Sequence, residues 1–94
     1  MAYNLIIQTE VILEIQEAFD WYHKARYGLG FELIKEIERC YSKIGENPQY
    51  YGFISKKFRS IRTKRFPYLI IVEIIEDKVF IYNFLHGKRK NKNR

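Results

Sequence analysis

Apolar side chains change their period along this chain, and each change predicts an element. In "YNLIIQT", residues 3–9, Tyr3, Leu5 and Ile7 alternate with Asn4, Ile6 and Gln8, as in a short strand. Thr9 is placed to N-cap a helix, and Glu10 suits the positive first turn of one. From Glu10 to about Arg26 the spacing lengthens: Val11, Ile15, Ala18 and Tyr22 form one stripe, with Ile12 and Phe19 beside it. "YGLG", residues 27–30, interrupts the stripe with two glycines. A second helix is predicted from about Gly30 to Gly45, with Ile34, Ile37, Tyr41 and Ile44 on its apolar face and Phe31 one turn earlier. "GENP" closes it, Gly45 as a left-handed cap and Pro48 as a stop. So short a link makes the two helices an antiparallel hairpin.

After "ENPQYYGF" the period returns to two. Residues 57–65 alternate as a half-exposed edge strand would, and Pro67 sets a boundary. Tyr68–Ile75 is apolar on both faces except at Glu73. In Lys78–Leu85, Val79, Ile81 and Leu85 fall on one face, and Phe80, Tyr82 and Phe84 on the other. Glu76-Asp77 fits the hairpin turn between these two strands. Two apolar faces predict central strands, covered on both sides or covered once and awaiting a partner. The predicted order is β-α-α-β-β-β, an α+β fold: a helical hairpin packed on one face of a mainly antiparallel four-stranded sheet. Residues 1–87 form the single domain, and residues 88–94, "KRKNKNR", a basic tail expected to be disordered.

Length and composition narrow the classes. Ninety-four residues suffice for one domain, and the aromatic share of 17% lets few side chains fill a small core. The single cysteine, Cys40, excludes an internal disulfide and falls at core spacing in the second helix. No signal peptide is seen, and the longest mainly apolar run, residues 66–75, is too short to span a bilayer, so a soluble cytoplasmic protein without membrane partners is expected.

Charge changes the picture more. Residues 1–47 carry five Lys/Arg and eight Asp/Glu, a net −3, whereas residues 48–94 carry twelve and three, a net +9. "KKFRSIRTKR", residues 56–65, holds six cations, and "HGKRK" adds more at the end of the last strand. Such a cluster either keeps a greasy sheet soluble or faces an anionic partner, where it would bind phosphates or steady a developing negative charge without a metal. Alternation in a strand would send Arg59 and Arg65 one way, and Arg62 and Lys64 the other. His86 is either a proton shuttle or a strand-end residue bonded to backbone. His23 and His86 lack ligand-spaced companions, no phosphate loop or GxSxG elbow is present, and the helix carboxylates read as wet faces. No cofactor and no metal are therefore expected.

Several stretches, in order, carry a resemblance: "EAFDWY" in the first helix, "YGLG", "IGENP", "KRFPYLIIVEI" and the closing "FLHGKRK". Together they resemble the RelE/ParE superfamily of bacterial type II toxin–antitoxin toxins, and within it the ParE-like, plasmid-stabilisation branch. The resemblance implies a growth-inhibiting toxin held by a cognate antitoxin in a hetero-oligomer. The antitoxin's C-terminal segment would cover part of the greasy surface. ParE-type members inhibit DNA gyrase without a catalytic site of their own. RelE-type members cleave mRNA on the ribosome, which is the alternative here, as is a non-toxic binding module of the same fold. By position, Arg62, Arg65 and His86 match the nuclease region and are the catalytic candidates of a metal-independent endoribonuclease. Arg59, Lys64, Lys88 and Arg89 are the target-binding candidates. Two departures from the nuclease pattern stand out: no tyrosine follows Tyr82, and the third strand opens Tyr68-Leu69, where nuclease members often carry an arginine.

Overall fold

The structure, a computed structural model, describes residues 2–87. Strand β1 (Asn4–Ile7) leads into helix α1 (Thr9–Ala25) and helix α2 (Leu29–Glu46), and a short 3₁₀ turn (Pro48–Tyr50) comes next. Strands β2 (Phe58–Arg62), β3 (Tyr68–Ile75) and β4 (Lys78–His86) complete the order β-α-α-β-β-β. The sheet runs β1-β4-β3-β2, with β1 parallel to β4 and the other pairs antiparallel. It is thus mixed, and the parallel pair is possible because both helices lie in the connection that leaves β1. The expected tail, residues 88–94, lies outside the described residues.

One core joins the layers. Val11 and Ala18 of α1, and Leu33, Ile37, Cys40 and Ile44 of α2, meet Ile61, Tyr68, Ile70, Val72, Val79, Ile81 and Phe84 of the sheet. The stripe of α1 is as expected, with Ile15 and Tyr22 packed at its margin. That of α2 is turned: Leu33 and Cys40 take the buried positions, Ile34 and Tyr41 are only partly buried, and Phe31 is exposed. Phe31 lies instead against Phe19 and His23 of α1.

The glycines also exchange roles. Gly45 lies inside α2, which runs on to Glu46, and its carbonyl accepts the Tyr3 N–H at 2.8 Å. The left-handed residue is Gly28, at φ 90° in the elbow between the helices. Gly30 meets a separate demand: a Cβ there would lie 2.7 Å from the Phe19 ring and 2.9 Å from its carbonyl oxygen. Thr9 is the first helical residue and not the cap; Gln8 caps with its backbone, accepting the Val11 and Ile12 N–H groups while its own N–H is tied to Ile81.

A β-bulge reverses the expected facing of β4. Ile71 pairs with Asn83 and Val72 with Ile81, so Tyr82 is the extra residue. Beyond it the parity inverts. Phe84 turns into the core at 4% exposure, while Leu85 joins Phe80 and Tyr82 on the face without helices.

Candidate functional site

The basic stretch divides where β2 ends. Arg59 faces the helix side, opposite Val72, and is occupied there. Its guanidinium donates to the carbonyls of Tyr51 (2.6 Å) and Gln49 (3.3 Å) and lies 3.9 Å from the centre of the Phe53 ring. It therefore fastens the 49–54 loop, whose Gly52 and Ile54 pair with Ser60 and Phe58 along the outer edge of β2. Arg62, opposite Leu69, is exposed on the helix-free face and forms no ion pair among the described residues.

Residues 63–67 are a turn, so the expected strand alternation does not reach Lys64 and Arg65. Thr63, buried at 3% exposure, holds that turn: its hydroxyl accepts the Tyr68 N–H at 3.1 Å and donates to the Phe66 carbonyl. Two carboxylates of α2 clamp it from outside. Glu36 accepts the Lys64 backbone N–H and an Arg39 guanidinium N–H, each at 2.6 Å. Its pKa is lowered by the Arg39 hydrogen bond first, against desolvation. Glu32 takes Arg65 at 2.6 Å and Arg26 at 3.7 Å, and the Arg65 hydrogen bond lowers its pKa. Arg65 thus braces a turn against a helix.

His86 closes β4 on the helix side, opposite Tyr68, with ring centres 5.0 Å apart. It lines a cleft of about 340 Å³ with Glu14, Glu17, Trp21, Tyr68 and Phe84. The sheet separates it from Arg62, and Arg65 is held beside α2. The three catalytic candidates consequently do not share one site. Lys88 and Arg89 lie outside the described residues.

Two groupings are not visible in the sequence pattern. Glu14 belongs to no wet face: its carboxylate lies by the Phe84 backbone N–H, and its Oε1 is buried without a partner. Desolvation raises its pKa, and repulsion from Glu17 and Glu10 adds to that. On the helix-free face, Tyr82 donates to Glu73 at 2.7 Å, Lys57 approaches Glu73 at 3.9 Å, and the Phe58 and Phe80 rings flank Tyr82. A lone acid in an apolar strand, Glu73, is the sequence signal for this group; Glu14 has none, since by spacing it stands among the other helix carboxylates. Among the described residues no cluster of His, Cys, Asp and Glu is placed to hold a metal ion, and no helix is long and apolar enough to cross a membrane.

No family model matches the sequence, and no curated protein matches it. The fold has solved counterparts. One is a chain of the chromosomal ParDE TA system from P. aeruginosa, similar at a TM-score of 0.79 and 9% sequence identity over 90% of this chain and 96% of that one. At that identity the likeness concerns the fold, and it is the α+β fold expected from the RelE/ParE resemblance.

Proposed function

We propose that this chain is the toxin of a toxin–antitoxin pair, that it inhibits bacterial growth by occupying a protein target, DNA gyrase, and that a cognate antitoxin neutralises it in a hetero-oligomeric complex. The observation that carries this reading is the extent of the fold likeness. It takes in nine-tenths of this chain and nearly all of its ParDE counterpart, so it concerns a whole domain and not a shared motif.

The surface is consistent with action by binding. Arg62 and His86 stand on opposite faces of the sheet, and Arg59 and Arg65 are engaged in holding loops. A metal-independent ribonuclease instead needs its cations and its acid–base group around one phosphate. Large apolar side chains, among them Ile12, Leu13 and Trp21 of α1, are exposed and would suit a covering partner.

The test is induced expression in a bacterium without antitoxin, with pulse labelling of DNA and protein, and then a supercoiling assay with purified gyrase. The expected result is a fall in DNA synthesis with filamentation, inhibition of supercoiling, and relief of both by the antitoxin encoded beside the gene. Prompt mRNA fragmentation on ribosomes, lost in Arg62→Ala, Arg65→Ala and His86→Ala, would put a ribosome-dependent mRNA interferase in its place. Undisturbed growth would leave a non-toxic binding module.

A further inference from the structure

Strand β4 outruns its neighbour. β1 pairs with Lys78–Ile81 only, and Gln8 closes that ladder on the Ile81 carbonyl, whereas β4 continues to His86. Along residues 82–86 no described strand lies on the β1 side. What stands there is α1, whose Glu14 carboxylate lies by the Phe84 backbone N–H. An open strand end guarded by a carboxylate is the common protection against unwanted pairing. Here the guard sits in a cleft with features that protection does not require.

The cleft is an acidic place in a basic protein. Glu14 and Glu17 line it, neither forms an ion pair among the described residues, and the Oε1 atom of Glu14 is out of contact with solvent and without a hydrogen-bond partner. A buried carboxylate oxygen left in this state is costly; the exposed Glu17 carboxylate is the one an incoming N–H donor can reach directly. Trp21, 64% exposed, lines the cleft from the same face of α1 as both carboxylates, and Tyr68, Phe84 and His86 line it from the sheet. Carboxylates beside aromatic rings form a receptor for an ammonium or guanidinium group, which gains charge-assisted hydrogen bonds from the first and cation–π attraction from the second. The volume lies at the small end of ligand clefts, suited to one long side chain and not to a cofactor.

We infer that the cleft between α1 and the overhanging end of β4 receives a lysine or arginine side chain from an extended segment of a partner protein lying along that strand end. Charge complementarity selects the side chain, and the open edge selects an extended backbone. An anionic segment meets Glu10, Glu14 and Glu17 and is repelled. The inference goes beyond the toxin reading and does not depend on it, because any partner with such a segment qualifies.

Trp21 is the only tryptophan of the chain and forms part of the rim, so its fluorescence reports occupancy directly. Full-length protein is titrated with blocked tripeptides that carry arginine, glutamine or glutamate between two valines. The arginine peptide should change Trp21 emission saturably and shift the Phe84 amide resonance. The glutamine peptide should bind about tenfold more weakly or worse, the loss expected for one charge-assisted contact. Glu17→Gln, at an exposed position, should weaken the arginine peptide severalfold, and Glu14→Gln with Glu17→Gln further, at unchanged circular dichroism. Equal binding of the arginine and glutamine peptides, or no saturable change with either, would overturn the proposal. So would a change in Trp21 emission on Lys88→Gln, Arg89→Gln and Lys90→Gln without peptide, since the chain's own basic residues would then be the occupant. None of these results bears on toxicity.

Discussion

The two faces of the sheet are made of similar residues and are stabilised by different means. On the helix side, Ile70, Val72, Val79 and Ile81 are fully removed from solvent beneath Val11, Leu33, Ile37 and Ile44. On the other side Ile71 is buried among its strand neighbours, but Leu69, Phe80, Leu85 and Phe58 are only half-buried, and no described helix covers them. There a polar chain from Lys57 through Glu73 to the Tyr82 hydroxyl ties β2, β3 and β4 together across the aromatic surface. Hydrophobicity along the strands does not separate the faces; what lies above each face does. The covered face draws its stability from burial. The open one depends on cross-strand contacts whose strength is diluted by water.

The sharpest test truncates neighbouring residues of β3 that point opposite ways. Ile70→Ala should cost about 2–5 kcal/mol in urea unfolding, because the removed atoms leave a cavity under two helices. Leu69→Ala, one residue away on the open face, should cost roughly 1–2 kcal/mol, since only part of its surface was withheld from water and no closed cavity forms. Equal losses would mean that the open face is covered in solution by another molecule.

Gly30→Ala attacks the cover instead of the sheet. The added methyl enters the Phe19 ring and backbone at 2.7–2.9 Å, so α1 and α2 must part. We expect a loss of about 1–3 kcal/mol by denaturant unfolding, the usual cost of overpacking. Gly28→Ala, with nothing within 4 Å, tests a different demand, the φ of 90° in the elbow.

How these faces are reached is legible in the sequence only in part. The element order, the hairpin turn at Glu76-Asp77 and the bounds of β3 come from period changes and from Pro67, because each rests on neighbours in sequence. The facing of Phe84 does not. It depends on a bulge at Tyr82, an extra residue that alternation has no means to register. Nor does the fate of the cations. Arg59 and Arg65 read as a binding strip by density alone, yet their partners, the Tyr51 carbonyl and Glu32, lie in segments that only folding brings near. Gly28 and Gly45 both stand at the end of a helical stripe, and sequence does not say which one must turn left-handed.

On the open face, Tyr82→Phe removes one hydrogen bond and leaves the ring. The loss should be about 0.5–1.5 kcal/mol at neutral pH, smaller than either core effect. Its pH dependence identifies the contact. The bond to Glu73, with desolvation second, raises the phenol pKa. A raised folded-state pKa gives stability that is present below the ordinary phenol value, near pH 10, and is lost as pH rises through the folded one. The gap between wild type and Tyr82→Phe in thermal unfolding should therefore close at high alkalinity.

Glu14 stands at the margin of the covered face, where α1 gives out over the end of β4, and the smallest effect is expected there with the opposite sign. Its carboxyl has a raised pKa because burial disfavours the anion more than the Phe84 N–H favours it. For such a carboxylate the folded state binds the proton more tightly than the unfolded chain does. Stability is therefore contributed below the ordinary carboxylate range and withdrawn as pH rises through the shifted value. Glu14→Gln keeps an oxygen for the Phe84 N–H and removes the charge that Glu10 and Glu17 repel. Thermal unfolding should find this variant no less stable than wild type at pH 7, by a margin under about 0.5 kcal/mol, with the advantage gone near pH 4. A variant clearly less stable at pH 7 would mean that the anion already has a counter-ion, and the margin would then belong with the covered face and not with an open cleft.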